Sequence, residues 1–274
     1  MTGFVTRDPW LGLARRTPAR IALGRAGASL PTAEVLRFSL AHAQARDAVH
    51  APFDAGHIAR EIAALGLSTI AVHSAAPDRP TYLRRPDLGR RLSPESRDAL
   101  SEIGGSCDVA VVLADGLSAT SAHAQGPSLV KAFLPHARRH GWRLGPVVLA
   151  SQARVALGDE VGQLLDARAV AVLIGERPGL SSPDSLGVYL TYGPRLGRTD
   201  AERNCLSNIR PDGMGFDVAA AKLAWLLDRG LTLQVTGVTL KDESDAGLAS
   251  DRREAVVHEE MRAGDEARLV AREE

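Results

Sequence analysis

The sequence predicts an α/β fold with a Rossmann-like, mostly parallel sheet and helices on both faces, preceded by a mainly helical N-terminal region. Short apolar runs rich in β-branched residues recur after residue 105, which is typical of strands buried on both faces. The clearest runs are Asp108–Ala114, Pro146–Ala150 and Ala169–Ile174. Helical repeats separate these runs, and this alternation indicates right-handed βαβ units.

Residues 1–104 are expected to form an N-terminal arm and a mainly helical region. The first 25 residues contain five arginines: Arg7, Arg15, Arg16, Arg20 and Arg25. They indicate either a solvated basic arm or a segment that lies on an acidic partner surface. From Thr32, a candidate N-cap, Leu36, Leu40 and Ala43 recur at helical spacing and predict a helix that runs to about Val49.

A second helix and a first strand follow in this region. Ile58, Ile62 and Leu65 repeat the helical spacing, and Gly66 is suited to end the helix. Thr69–Val72 is a short strand candidate.

The next segment, Ala75–Leu92, is predicted to be a long irregular loop. It contains the sequence YLRRPDLGRRL, in which four arginines fall within eight residues. Arginine forks suit carboxylates and phosphates, so this segment is either an anion-binding or subunit-contact loop or a solvated turn. Ser93-Pro94 then gives an N-cap followed by a proline at the first helical position.

Residues 105–240 are predicted to be the α/β domain. Helices are expected near 118–140, 158–166 and 216–228. Asp115-Gly116 and Glu176-Arg177 follow two apolar strands, and ligands of open α/β sheets bind at the carboxyl ends of strands. Two alternatives stay open: Asp115 caps the following helix, and Gly175–Gly179 is a charged surface turn whose glycines serve geometry alone.

The end of the chain contributes less to the prediction. Gly193–Met214 is turn-rich and looks too polar for the core. Residues 241–274 are charge-dense with few apolar residues, and a mobile or weakly helical tail without a chemical role is expected.

Composition excludes several classes of protein. The chain has 274 residues with 33 basic and 33 acidic side chains, which argues against nucleic acid or an anionic membrane as a partner. No apolar run approaches the length of a membrane span, and no secretory signal is visible. Two cysteines without zinc-type spacing fit a cytoplasmic protein with reduced thiols.

Common catalytic motifs are absent. The sequence lacks GxGxxG, GxxxxGK[ST], GxSxG and HExxH. His136 and His140 lie one helical turn apart, but a surface pair is favoured over a metal site because no third ligand joins them. Cys205 has Arg203 and Arg210 nearby, which would lower its pKa; a buried structural thiol is the alternative.

Several longer segments resemble one known family, the small (light) subunit of ethanolamine ammonia-lyase. The most specific are GERPGL (175–180) and NCLSNIRP (204–211), supported by RVALGDE (154–160), YLRRPDLGRRL (82–92) and VLADGLSA (112–119). Matching segments run in the expected order from about Thr17 to Ser244.

The resemblance implies an adenosylcobalamin-dependent lyase of ethanolamine catabolism that converts ethanolamine to acetaldehyde and ammonia. The family's large subunit is a TIM-type barrel that binds substrate and carries the radical chemistry. The small subunit closes over the cofactor at the interface, in a hetero-oligomer of large–small pairs that is active only when assembled. By motif, the cobalamin contacts fall on Val155, Glu176 and Cys205, with no catalytic residue and no metal ligand in this chain.

Two departures qualify the resemblance. The DxHxxG motif of base-off cobalamin proteins is absent, which agrees with a family that keeps the cofactor's own base on cobalt. The long N-terminal extension of some relatives is also missing, so packaging in a bacterial microcompartment is doubtful. The alternative hypothesis is a stand-alone α/β ligand-binding module without lyase activity.

Overall fold

A computed structural model describes residues 5–17 and 19–245 of the chain. The α-helices are α1 (Leu11–Ala14), α2 (Thr32–His50), α3 (Ala55–Ala64), α4 (Arg79–Arg84), α5 (Pro94–Ser101), α6 (Ala119–His140), α7 (Leu157–Leu164) and α8 (Phe216–Leu233). The strands are β1 (Thr69–His73), β2 (Cys107–Ala114), β3 (Val147–Ser151), β4 (Ala167–Gly175), β5 (Leu186–Tyr192) and β6 (Asn204–Ile209). Most of the predicted charged tail, residues 246–274, lies outside the described residues.

The six strands form one sheet in the order β1-β3-β2-β4-β5-β6. The pairs β1–β3, β3–β2 and β2–β4 are parallel, whereas β4–β5 and β5–β6 are antiparallel. The predicted α/β class and helical N-terminal region are confirmed, but the sheet is only partly parallel. The connection between Gly175 and Leu186 is too short for a crossover helix, so β5 returns antiparallel to β4.

Successive side chains of β2 point to opposite faces of the sheet, and each face packs into its own apolar layer. Val109, Val111 and Leu113 pack with α3, α6 and α8 on one face. Ala110 and Val112 pack with α5 and α7 on the other face. Period-2 alternation therefore produces two apolar layers from one buried strand.

The interpretation of 193–214 as a polar, turn-rich stretch is wrong in part. The segment contains β6 at the edge of the sheet, where Leu206 and Ile209 are buried. Even Arg203 is buried, because its guanidinium pairs with a carboxylate in the interior. Exposed polar residues such as Ser207 alternate irregularly with the buried ones in β6. This strand lies at the edge of the sheet, where much of its surface stays open to solvent.

The predicted long loop before α5 is also more ordered than expected. Asp78 accepts a hydrogen bond from the Thr81 amide at 2.8 Å and caps α4, and a 3₁₀ turn covers Leu88–Arg90. Tyr82 on α4 is fully buried. The arginines of this segment do not converge: Arg85 forms its ion pair with Asp87 at the surface.

Helix α2 forms where predicted and packs on the protein through small side chains. Its buried residues are Ala41 and Ala48, whereas Leu36 and Leu40 are 63% and 60% exposed. The Leu36 and Leu40 side chains of this helix therefore face outward. Thr32 is the first helical residue and does not act as the N-cap.

Within residues 5–17 and 19–245, no helix combines the length and the apolar character that a bilayer crossing requires.

Candidate functional site

A cavity of about 460 Å³ opens at the carboxyl ends of the parallel strands. The turns after β2 and β3 and the end of β4 meet there, as the topology of a parallel sheet dictates. The lining residues are Tyr82, Gly116, Leu117, Arg154, Val155, Ile174, Gly175, Glu176, Arg177 and Tyr189.

Two glycines let the walls of the cavity approach each other closely. Gly116 has φ +52°, and a Cβ there would lie 2.3 Å from the carbonyl oxygen of Gly175. A Cβ on Gly175 would lie 2.1 Å from the carbonyl oxygen of Ser118. The Leu117 amide donates to the Gly175 carbonyl at 2.9 Å, so the turn after β2 is bonded directly to the end of β4.

Asp115 connects the end of β2 to the loop after β3. Its buried carboxylate accepts hydrogen bonds from the backbone amides of Gln152 at 2.9 Å and Ala153 at 3.0 Å. Burial raises its pKa, and these amides oppose the shift together with Arg79. The idea that Asp115 merely caps α6 is wrong, because the Ser118 hydroxyl is the cap.

Arg79 joins three separate parts of the structure. Its guanidinium lies 3.3 Å from the Asp115 carboxylate and donates to the Val49 carbonyl, near the end of α2, at 2.7 Å. It also donates to the Gln152 side chain at 3.2 Å and lies over the Tyr82 ring, 4.7 Å from its centroid. One buried cation therefore links α2, α4 and the loop after β3.

Tyr82 supports the floor of the cavity. Its hydroxyl donates to the Ala153 carbonyl at 3.0 Å, and burial raises its pKa. The Arg154 guanidinium lies 4.4 Å from the ring centroid, so Tyr82 makes cation–π contacts with two arginines.

Glu176 is half-buried at the rim, directly after β4. The Ser207 hydroxyl donates to its Oε1 at 2.5 Å, and the Asn208 amide donates to Oε2 at 3.2 Å. Both donors belong to β6, so the antiparallel return of the chain fixes this carboxylate. Gly187 leaves it room, because a Cβ there would lie 2.9 Å from Oε1.

Cys205 lies beside the cavity but does not line it. It is paired with Tyr189, a lining residue, across β5 and β6. The residue is exposed, yet neighbouring atoms partly remove solvent from its sulfur. This desolvation raises the thiol pKa. A hydrogen bond from Tyr189 lowers the pKa, whereas the negative charge of Glu176 raises it further.

Both earlier interpretations of Cys205 are therefore wrong. It is not a buried thiol, and nearby arginines do not lower its pKa. The Arg203 guanidinium is turned into the interior toward Asp159, and Arg210 donates to the Asn208 side chain at 2.9 Å. The geometry does not present Cys205 as an activated nucleophile.

The structure thus brings Val155 and Glu176 to one cavity. Cys205 lies outside the lining, as the cross-strand neighbour of the lining residue Tyr189. Sequence reasoning missed Tyr82, Arg154 and Tyr189 as lining residues. Arg154 immediately precedes Val155 in RVALGDE, so its position next to a predicted contact could have identified it as a lining residue.

Within residues 5–17 and 19–245, the histidines and other ligand-type side chains do not assemble a metal centre. No group of three or more His, Cys, Asp or Glu side chains suited to a metal occurs in the described part of the chain. His140 instead stacks on Trp142, with ring centroids 4.3 Å apart, and lies 3.4 Å from the Asp228 carboxylate.

Known proteins show close similarity to the chain. The family profile described as "Ethanolamine ammonia-lyase light chain (EutC)" matches residues 7–241. A protein of Xanthomonas campestris pv. campestris is 56% identical over 246 residues, covering 88% of this chain and 90% of its own length. A protein of Bradyrhizobium diazoefficiens is 57% identical over 242 residues, covering 88% and 93%.

A third relative, from Ralstonia nicotianae, is 52% identical over 248 residues, covering 89% of this chain and 92% of its own. All three relatives are named ethanolamine ammonia-lyase small subunit. The matches span nearly all of the described fold, including the cavity and its rim. The chain therefore belongs to the family of ethanolamine ammonia-lyase small subunits.

Proposed function

We propose that this chain is the small subunit of an adenosylcobalamin-dependent ethanolamine ammonia-lyase, which converts ethanolamine to acetaldehyde and ammonia. In this proposal the chain covers the cofactor at the interface with a large catalytic subunit, in a hetero-oligomer of large–small pairs. One observation carries it: Val155 and Glu176, two residues that family resemblance assigns to cobalamin, line one cavity, and Cys205 lies opposite the lining residue Tyr189.

The donor set of this cavity suits a corrinoid. A carboxylate has about four acceptor positions, and Glu176 uses two of them for Ser207 and Asn208. Acceptor capacity remains for the amide side chains around a corrin ring. Leu117 and Ile174 supply apolar wall, and the cavity volume suits one part of a large ligand that a second subunit also covers.

In this proposal, the residues of this chain bind the cofactor and orient it. Glu176 is held by two donors from β6, so little side-chain freedom is lost when it accepts further hydrogen bonds. Backbone groups at Val155 and Cys205 supply additional polar contacts, and the apolar wall excludes water. When bound, adenosylcobalamin supplies the radical chemistry by homolysis of its cobalt–carbon bond.

The N-terminal segment supplies the surface for the large subunit in this proposal. Ten of the sixteen exposed large hydrophobic residues of the described chain lie within residues 5–40: Val5, Trp10, Leu11, Leu13, Ile21, Leu30, Val35, Leu36, Phe38 and Leu40. Exposed apolar side chains that form a contiguous patch mark interaction sites, and we propose that these residues form one. Five arginines accompany one acidic residue, Asp8, in residues 5–31, which suits an acidic partner surface.

This surface is connected to the cavity. The Arg20 guanidinium donates to the Leu180 carbonyl at 3.3 Å, in the loop that follows Glu176. A large subunit docked on the N-terminal segment would therefore also reach the rim. Both cysteines are free thiols, which suits the cytoplasmic location we propose.

Reconstitution tests the proposal. The large subunit of the same organism is expressed with and without this chain, and ammonia release from ethanolamine is measured with adenosylcobalamin present. Release should require this chain. Full activity of the large subunit alone would contradict the proposal and favour a stand-alone α/β binding module.

A further inference from the structure

Two positive charges line the cavity without a partner of opposite sign. The Arg154 and Arg177 side chains both contribute to its wall, and neither forms an ion pair with a carboxylate of residues 5–17 or 19–245. Arg79 and Arg203, by contrast, each pair with an interior carboxylate. Among the described lining residues Glu176 carries the negative charge, so two cations and one anion leave the wall with a net charge of +1.

Arg154 is held in place before any ligand arrives. Its guanidinium lies on the Tyr82 ring and donates to the Tyr82 carbonyl at 3.4 Å, while its amide donates to the Gly89 carbonyl at 2.8 Å. A Cβ on Gly89 would lie 2.9 Å from Arg154 Cγ, so this packing requires glycine. The Arg154 Nε is buried without an acceptor in the described structure. Such a fixed cation loses little conformational entropy on binding an anion.

The N-terminus of α7 does not supply this positive character. The first amides of α7, from Leu157 and Gly158, donate to the Arg154 and Val155 carbonyls at 3.0 Å. Because these donors are already paired, the Arg154 and Arg177 guanidinium groups are the charged donors that the cavity wall offers to an anion.

We propose that Arg154 and Arg177 bind the phosphodiester of the nucleotide loop of the cobalamin. This inference rests on the proposed cofactor function and assigns a role to residues outside Val155, Glu176 and Cys205. The corrin amides are neutral, whereas the phosphodiester is ionised at neutral pH. Guanidinium forks match its paired oxygens, and one phosphodiester balances the net charge of the wall.

Cobinamide provides the test, because it retains the corrin ring and its amides but lacks the nucleotide loop and its phosphate. The complex of this chain with its large subunit is titrated with cyanocobalamin and with dicyanocobinamide, and binding is followed by absorbance after ultrafiltration. Arg154→Gln and Arg177→Gln should each weaken cobalamin binding, by roughly tenfold for Arg154. Cobinamide binding should stay within about twofold of the parent complex, a difference of roughly 0.4 kcal/mol.

Matched variants separate charge from folding. Arg154→Lys keeps the charge and should recover part of the cobalamin affinity. Arg139→Gln, at an exposed arginine in the last turn of α6, removes a charge near the amino ends of the strands, away from the cavity, and should change neither titration. Arg177 is exposed, so Arg177→Gln decides the test if Arg154→Gln impairs folding.

The outcomes are distinct. Selective loss of cobalamin affinity supports the phosphodiester site. Equal loss for both corrinoids, or no loss for either in the Arg177 variant, overturns it while the cofactor function stands. A parent complex that binds neither corrinoid overturns the proposed function itself, and the inference with it.

Discussion

Arg203 and Asp159 form a bidentate ion pair in the protein interior, with both nitrogen–oxygen distances at 2.7 Å and each side chain 2% exposed. The pair joins the segment before β6 to the first turn of α7. Burial alone would lower the pKa of Arg203, but the hydrogen bonds and charges of Asp159 and Asp200 together raise it. This pair therefore fixes the edge of the sheet that holds the cavity rim.

Removing one partner of this pair should destabilise the protein strongly. Arg203→Met leaves the Asp159 carboxylate buried without its cation, which is expected to lower the free energy of unfolding by about 3–5 kcal/mol. Urea denaturation measures the change. The double variant Arg203→Met/Asp159→Leu should regain much of the loss, because no charge is then left buried. A single variant within about 1 kcal/mol of the parent would show that the pair contributes little.

Glu176→Ala should weaken cofactor binding without unfolding the chain. The half-buried carboxylate is an acceptor on the cavity rim, and losing charge-assisted hydrogen bonds should raise the apparent KM for adenosylcobalamin by about tenfold in the assembled enzyme. Ser207→Ala removes one donor to Glu176 and should have a smaller effect. An unchanged KM for adenosylcobalamin would count against a cofactor contact.

Thiol modification should distinguish the two cysteines. Cys205 is exposed and Cys107 is buried, so iodoacetamide should label Cys205 first. The thiolate is the reactive form, and the Cys205 pKa is raised above its ordinary value of 9.0. Labelling should therefore be slow at pH 7 and still accelerate above pH 9.

Glu176→Gln provides the matched variant for this measurement. Removing the nearby negative charge should lower the Cys205 pKa and speed labelling at a given pH, whereas Tyr189→Phe removes a stabilising hydrogen bond and should slow it. A rate that levels off below pH 8 would be inconsistent with the raised pKa.

Substitutions on α2 should separate assembly from folding. Leu36→Ser and Leu40→Ser alter exposed side chains, so the unfolding free energy of the isolated chain should change by less than about 0.5 kcal/mol. Co-purification with the large subunit should nevertheless fall, because apolar contact area is lost. Ile58→Ala, in the core, should instead destabilise the chain by about 2–5 kcal/mol. Undiminished co-purification of the α2 variants would place the interface elsewhere.

Sequence periodicity predicted the parallel part of the sheet well. The strands that contain Val109 and Val170 are covered on both faces of the sheet, and both residues are fully buried. Such strands need apolar side chains at nearly every position, which produces the long apolar runs. The β6 strand was missed because it is an edge strand in which Cys205, Ser207 and Asn208 are exposed. Its polar sequence resembles a turn, and only tertiary pairing with β5 identifies it.

The site was predictable only in part for a related reason. Glu176 was found because it directly follows a strong strand. Tyr82 and Arg154 were not, because their contact joins positions 72 residues apart. The exposure of the Leu36 and Leu40 side chains could not be predicted, because periodicity identifies an apolar face of a helix without identifying what covers it.

If α2 moves when the proposed large subunit docks, the position of Arg79 couples that docking thermodynamically to ligand binding. This guanidinium is bonded to the end of α2 and to the loop that leads into the cavity wall. A displacement of α2 would change the geometry of that loop, and the coupling free energy is the same in both directions. Ligand binding would then increase the affinity between the two subunits by a certain factor, and assembly of the subunits would increase the affinity for the ligand by the same factor.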